Sequence, residues 1–132
     1  MKAGLPIFDH CEDMSLRGNG CMNEDENAKR LGLPGICNST EDTIAARDSL
    51  LAIETGAKLH LCHCSTKGVA IMMKMLKAEG IENVTAEVCP HHFILTSDDI
   101  ERDDPNYKMN PPLRTRKDVD ALIEGLKEAT FR

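Results

Sequence analysis

Residues 58–88 read KLHLCHCSTKGVAIMMKMLKAEGIENVTAEV, and their pattern decides the fold class. Lys58 to Cys62 is a short β-prone run, and Val84 to Val88 is a second. Between them Val69, Met72, Met73 and Leu76 recur at i, i+3, i+4 and i+7, the spacing of one helical face, and Gly80 closes that helix. Strand, helix and strand joined by a few residues make a βαβ unit, whose strands run parallel and whose crossover is right-handed.

Outward from that unit the same alternation continues. Upstream, Leu5 to Asp9 is another β-prone run. Asn38-Ser39-Thr40-Glu41-Asp42 then supplies an N-cap with acids in the first turn, for a helix running to about Thr55 with Gly56 at the C′ position. Downstream, Val119, Leu122, Ile123 and Leu126 repeat the helical spacing. The expectation is an α/β chain with parallel strands near 5–10, 58–63 and 84–89 and helices near 40–55, 67–79 and 116–128. Three strands are few for an open sheet. A full (βα)8 barrel takes roughly 250 residues, so both an open sheet and part of a barrel remain open here. Asp13 to Arg30 and Phe93 to Asn110 read as long polar loops, of the kind that carries function.

The 132 residues suffice for one domain and not two. With 41% hydrophobic and 29% charged residues and a mean hydropathy of −0.34, the chain reads as globular, without an apolar run long enough to span a membrane and without a signal-peptide pattern at its start. A net charge of −6 and a pI near 5.3 oppose binding to a nucleic-acid backbone. Six cysteines in a helix-rich, Met-containing chain are expected to be reduced thiols in the cytoplasm.

His10 follows the first strand and His63 the second, and in parallel α/β folds ligand-binding groups gather at the C-terminal ends of strands. Two imidazoles from separate strands then meet on one rim, as an imidazole metal site requires. A polar strand-end role for each is an equally open reading. By strand alternation His60 and His63 should point to opposite faces, with His63 at the site and His60 hydrogen-bonded in the wall. Cys62, Cys64, Cys89, His91 and His92 lack the knuckle spacing of a structural zinc site, and the cysteines are expected to act as small buried hydrophobes. In Lys108-Met109-Asn110-Pro111-Pro112-Leu113-Arg114 two prolines stiffen the backbone, which makes a platform for the Asn110 amide or a turn into the last helix.

His10-Cys11-Glu12-Asp13, Leu33-Pro34-Gly35, His60 to Thr66, Val84 to His92 and Lys108 to Arg114 together resemble the dihydroorotase family in order and spacing, over nearly the whole chain. The resemblance implies a (βα)8 TIM-type barrel, of which 1–132 would hold about three consecutive parallel βα units and lack the N-terminal and C-terminal parts. It implies one or two zinc ions and the reversible hydrolysis of L-dihydroorotate to N-carbamoyl-L-aspartate in pyrimidine biosynthesis. His10 and His63 fall on metal-ligand positions and Asn110 on a substrate-contacting one; His91 and His92 match a motif without an assigned role. Hydantoinases and allantoinases share the barrel but tend to differ at the Asn-Pro-Pro position. The family's His-x-His pair, its bridging carboxylate or modified lysine, and its proton-relaying Asp are expected outside these residues. That leaves no catalytic residue inside them, and the chain alone is expected to be inactive and to self-associate. A non-catalytic α/β module derived from the barrel and a sister cyclic amidohydrolase are the alternatives.

Overall fold

A computed structural model describes residues 4–131. In chain order its elements are β1 (Ile7–Asp9), α1 (Met14–Arg17), β2 (Met22–Asn23), α2 (Glu26–Leu31), β3 (Gly35–Ile36), α3 (Ser39–Thr55), β4 (Leu59–Leu61), α4 (Lys67–Ala78), β5 (Val84–Ala86), α5 (Pro90–Ile94) and α6 (Arg116–Lys127), with 3-10 turns at Ser97–Asp99 and Pro105–Tyr107. The strands β1, β4 and β5 form one parallel sheet in that order, with Ile7, Leu59 and Val84 in one row and Phe8, His60 and Thr85 in the next. The three expected strands and three long helices are therefore all present, in the parallel α/β arrangement that the expected (βα)8 barrel requires.

Side-chain alternation gives this sheet two different faces. Leu59, Leu61, Val84 and Ala86 are buried with Ala45 and Ala52 of α3 and with Val69 and Met73 of α4. The opposite face carries Phe8, which is 68% exposed, and His60, whose ring packs edge-on against it with centroids 5.1 Å apart. That second face is the one a closed barrel turns inward.

The helices start and stop where their sequences dictate. The Thr66 hydroxyl accepts from the Val69 N–H at the head of α4, and Gly56 ends α3 in the left-handed conformation at φ 68°. Thr115 and Asp118 form a reciprocal capping box on α6. Asn38 precedes α3 in the helical conformation, at φ −60° and ψ −34°, without a capping bond of its own, and its amide donates to Asp118 at 2.8 Å and joins the starts of α3 and α6.

Two expectations need correction. Asp13 to Arg30 and Phe93 to Asn110 are not open loops: the first holds α1, β2 and α2, and the second holds the end of α5 and both 3-10 turns. They brace one another, since the Asn27 amide donates to the Ser97 and Ile100 carbonyls and Arg30 donates to the Ile100 and Glu101 carbonyls, above a small core of Met22, Ala28, Ile100 and Leu113. The apolar face of α6 is covered as well. Val119 and Leu122 are fully buried, because α6 packs against α4 and Phe131 folds back over Gly125.

Candidate metal centre at the strand ends

His10 lies one residue past β1 and His63 two residues past β4, on neighbouring parallel strands. Their rings meet: His10 Nδ1 is 3.0 Å from His63 Nε2, with the planes 72° apart. Strand alternation does not aim His63, because the strand ends at Leu61 and His63 adopts φ 39°, a left-handed conformation uncommon outside glycine. His60 stays in the sheet wall, its Nδ1 2.8 Å from the Thr85 hydroxyl and its Nε2 3.5 Å from Glu87.

Glu12 organises the outer side of the pair. One carboxylate oxygen is 3.4 Å from His10 Nε2; the other accepts from the Asn110 amide at 2.9 Å and has the Arg17 guanidinium 2.9 Å away. A carboxylate can only accept, so Nε2 of a neutral His10 carries the proton and Nδ1 presents its lone pair toward His63. Asn110 Nδ2 also approaches His10 Nε2 at 3.5 Å, and because both atoms are donors in this arrangement, the bond to Glu12 is the one that holds it. The rim thus gathers His10, His63 and Asn110 from three separate segments. Glu12 was missed as a site residue, although its place beside His10 in a motif-bearing segment marks it.

Two imidazole nitrogens on one zinc ion sit ~2.0–2.1 Å from the metal and so ~3.3 Å from each other at the tetrahedral angle. The 3.0 Å separation fits that geometry. A carboxylate behind one ligand imidazole is also the usual outer support of a metal-bound histidine. Burial lowers the pKa of His63, and a protonated His10 would lower it further, which favours the neutral ring that ligation requires.

Beneath the rim a buried polar strut fixes the segments. Arg114 is 2% exposed and donates to Ser65 Oγ at 3.1 Å, Asn23 Oδ1 at 3.1 Å and the Ile36 carbonyl at 2.8 Å, with its other terminal nitrogen 3.7 Å from the buried Glu41 carboxylate. Glu41 in turn accepts from the Ser65 N–H and hydroxyl. Burial raises the Glu41 pKa and lowers that of Arg114, and each partner only partly offsets the other's desolvation. Arg114 therefore spans β2, β3, the head of α3 and the exit of β4, four segments around the site.

Of Cys62, Cys64 and Cys89, expected to be small buried hydrophobes, only Cys64 is one, while Cys62 and Cys89 are half-buried beside histidines. Cys64 is buried in the main core; Cys62 lies with His60 and Glu87; Cys89 lies with His91 and His92. Spacing alone did not reveal the last two groupings, because each depends on the turn that follows a strand.

Curated relatives match nearly the full chain. A dihydroorotase of Staphylococcus epidermidis is 49% identical over 131 residues, covering 99% of this chain and 31% of the relative, and one of Anoxybacillus flavithermus is 50% identical over 127 residues, covering 96% and 29%. The chain thus spans about 30% of the length of the relatives it matches. Among solved structures, a Thermus sp. D-hydantoinase (dihydropyrimidinase) superposes with a TM-score of 0.76 at 24% identity over 97% of this chain and 29% of its own. A Campylobacter jejuni dihydroorotase superposes at 0.62 and 23% identity over 91% of this chain and 29% of its own. These two show the fold. A family model described as dihydro-orotase-like matches residues 2–69, more than half of the 132, and with the shared barrel architecture this establishes that the chain belongs to the dihydro-orotase-like family of cyclic amidohydrolases.

Proposed function

We propose that this chain is the part of a dihydroorotase barrel that carries two zinc-ligand histidines and one substrate-binding asparagine, in an enzyme that reversibly hydrolyses L-dihydroorotate to N-carbamoyl-L-aspartate for pyrimidine biosynthesis. The observation that carries the reading is the convergence of His10 Nδ1, His63 Nε2 and the Glu12-held Asn110 amide on one rim. His10 and His63 would hold one of the one or two zinc ions, which when bound supply Lewis acidity and lower the pKa of bound water. Glu12 fixes the His10 tautomer and orients Asn110, whose amide is placed to hydrogen-bond a cyclic imide or the carboxylate of the ring-opened product. The reading carries with it a cytoplasmic setting, a small-molecule partner and self-association of the isolated chain. No helix among the described residues is long and apolar enough to cross a membrane.

The test has two arms. With Cys89 replaced by serine so that no thiolate site competes, zinc binding to the chain should fall by at least ~10-fold in His10→Ala and in His63→Ala, by equilibrium dialysis, since removing one ligand of a metal site costs at least what removing an outer-shell partner does. In the second arm, residues 4–131 replace the matching segment of the Staphylococcus epidermidis dihydroorotase, and ring opening of dihydroorotate is compared with that of hydantoin and allantoin. Preference for dihydroorotate that is lost in Asn110→Ala supports the reading; preference for hydantoin or allantoin assigns a sister amidohydrolase instead.

A further inference from the structure

We propose that Cys89, His91 and His92 form a second site for a thiophilic divalent cation of the zinc class, separate from the His10–His63 pair, which ties the exit of β5 to the loop bearing Asn110. The inference does not rest on the dihydroorotase reading.

Its geometric basis is the turn after β5. Cys89 is extended at φ −78° and ψ 146°, Pro90 starts the short helix α5, and the turn gathers Cys89 Sγ and one ring nitrogen each from His91 and His92 within 4.8 Å of one another. The two imidazoles pack with centroids 4.1 Å apart. Ligands on a tetrahedral zinc, with Zn–S ~2.3 Å and Zn–N ~2.0–2.1 Å, sit ~3.3–3.6 Å apart. Side-chain rotations that close the group by about an ångström complete three corners of that cage, and water can take the fourth.

The second observation is independent of that clustering. His92 is 2% exposed, and its Nε2 lies 3.0 Å from the Pro111 carbonyl oxygen. A carbonyl accepts only, so Nε2 carries the hydrogen and Nδ1 of the neutral ring holds a lone pair. That Nδ1 is buried and has no hydrogen-bond partner. A buried acceptor left unpaired costs ~1–3 kcal/mol and calls for a physical reason. A cation on Nδ1 supplies one, and an imidazole whose far N–H is held by a backbone carbonyl is the standard supported form of a metal-bound histidine.

The donor set selects the ion. One thiolate and two imidazoles suit zinc and its analogue cobalt(II), not calcium or magnesium, which take oxygen. The neighbouring group of His60, Cys62 and Glu87 is the weaker candidate, because His60 is already bonded to Thr85, Glu87 lies against both the His60 ring and the His63 N–H, and no atom there is buried without a partner. Because Pro111 follows Asn110 directly, an ion on His92 would steady the backbone that presents the Asn110 amide.

The test is a cobalt(II) titration of the 132-residue chain, read by thiolate-to-cobalt charge-transfer absorption, with zinc as competitor and far-UV circular dichroism as the check on folding. One equivalent with a thiolate band is expected in the parent chain, in a His10→Asn/His63→Asn double variant and in Cys62→Ser, with binding at least 10-fold weaker and the band gone in Cys89→Ser. The half-buried His91→Asn serves as a second variant should Cys89→Ser unfold, and it should shift the band and weaken binding at least 10-fold. Three results would each overturn the proposal: no thiolate band at saturating cobalt, a band that survives Cys89→Ser or is unmoved in His91→Asn, or a band lost in Cys62→Ser.

Discussion

Arg114 shows how a single buried side chain governs the site without touching it. Its guanidinium holds Ser65, Asn23 and Ile36 together beside the Glu41 carboxylate, so removing either charge leaves the other desolvated and unpaired. Arg114→Met and Glu41→Gln are each expected to lower unfolding free energy by ~3–5 kcal/mol, and the double variant by clearly less than their sum, in urea denaturation. His92 makes a second prediction. Burial lowers its pKa from the ordinary 6.5 to about 4. Above pH 6.5 the ring is neutral in both folded and unfolded chains and contributes no pH dependence. As the pH falls from 6.5 toward 4 only the unfolded chain takes up the proton, so stability falls by ~3 kcal/mol across that window and levels off below it. Raised pKa values at Glu41, Asp42 and Asp9 act in the opposite direction, so the effect is read as the difference between the parent chain and His92→Gln at pH 7, 5.5 and 4.

Among the elements, α6 gives the sharpest test of packing. Leu122 is fully buried, packed against α4 and the sheet core, so Leu122→Ala should cost ~2–5 kcal/mol. A Cβ added at Gly125 would meet the Phe131 ring at 2.6 Å, so Gly125→Ala should lower the thermal midpoint while leaving helix content unchanged by circular dichroism, at a cost of ~1–3 kcal/mol. The elements that were legible in the sequence share a physical cause: β4, α4 and β5 each bury one face, and burial writes a period of 2 or 3.6 into the residues. The strands β2 and β3 have two residues each, too few for any period, and they are tied together by Arg114, which donates to the Asn23 side chain and the Ile36 carbonyl from 91 and 78 positions away. The meeting of His10 and His63 on one rim was legible because strand ends are fixed once the strands are known. The bonds of Glu12 to His10 and Asn110, and the grouping of Cys89 with His92, were not, since the first joins segments 98 positions apart and the second follows from how the chain turns after β5.

At the scale of the whole molecule, the question is what covers the inward face and the sheet edges. Among the described residues β1 and β5 each pair on one side only. Leu5 is 75% exposed, Ile7 54% and Phe8 68%, a contiguous apolar run along one open edge, and Leu50 on α3 is 67% exposed. An unpaired strand edge beside exposed apolar side chains is a template for pairing with another chain. The 132-residue chain on its own is therefore expected to self-associate at micromolar concentration, and Ile7→Lys/Phe8→Lys to reduce the mass measured by light scattering, because charge on an edge opposes pairing. A monodisperse monomer of the parent chain would defeat this. On the proposed reading the two histidines and Asn110 bind and orient, while ring opening also needs a group placed to move a proton, and Glu12, the carboxylate beside His10, is already held by Asn110 and Arg17. With zinc added, the isolated chain should bind metal and show no turnover of dihydroorotate above the uncatalysed rate; measurable turnover that disappears in Glu12→Gln would instead make Glu12 the proton carrier.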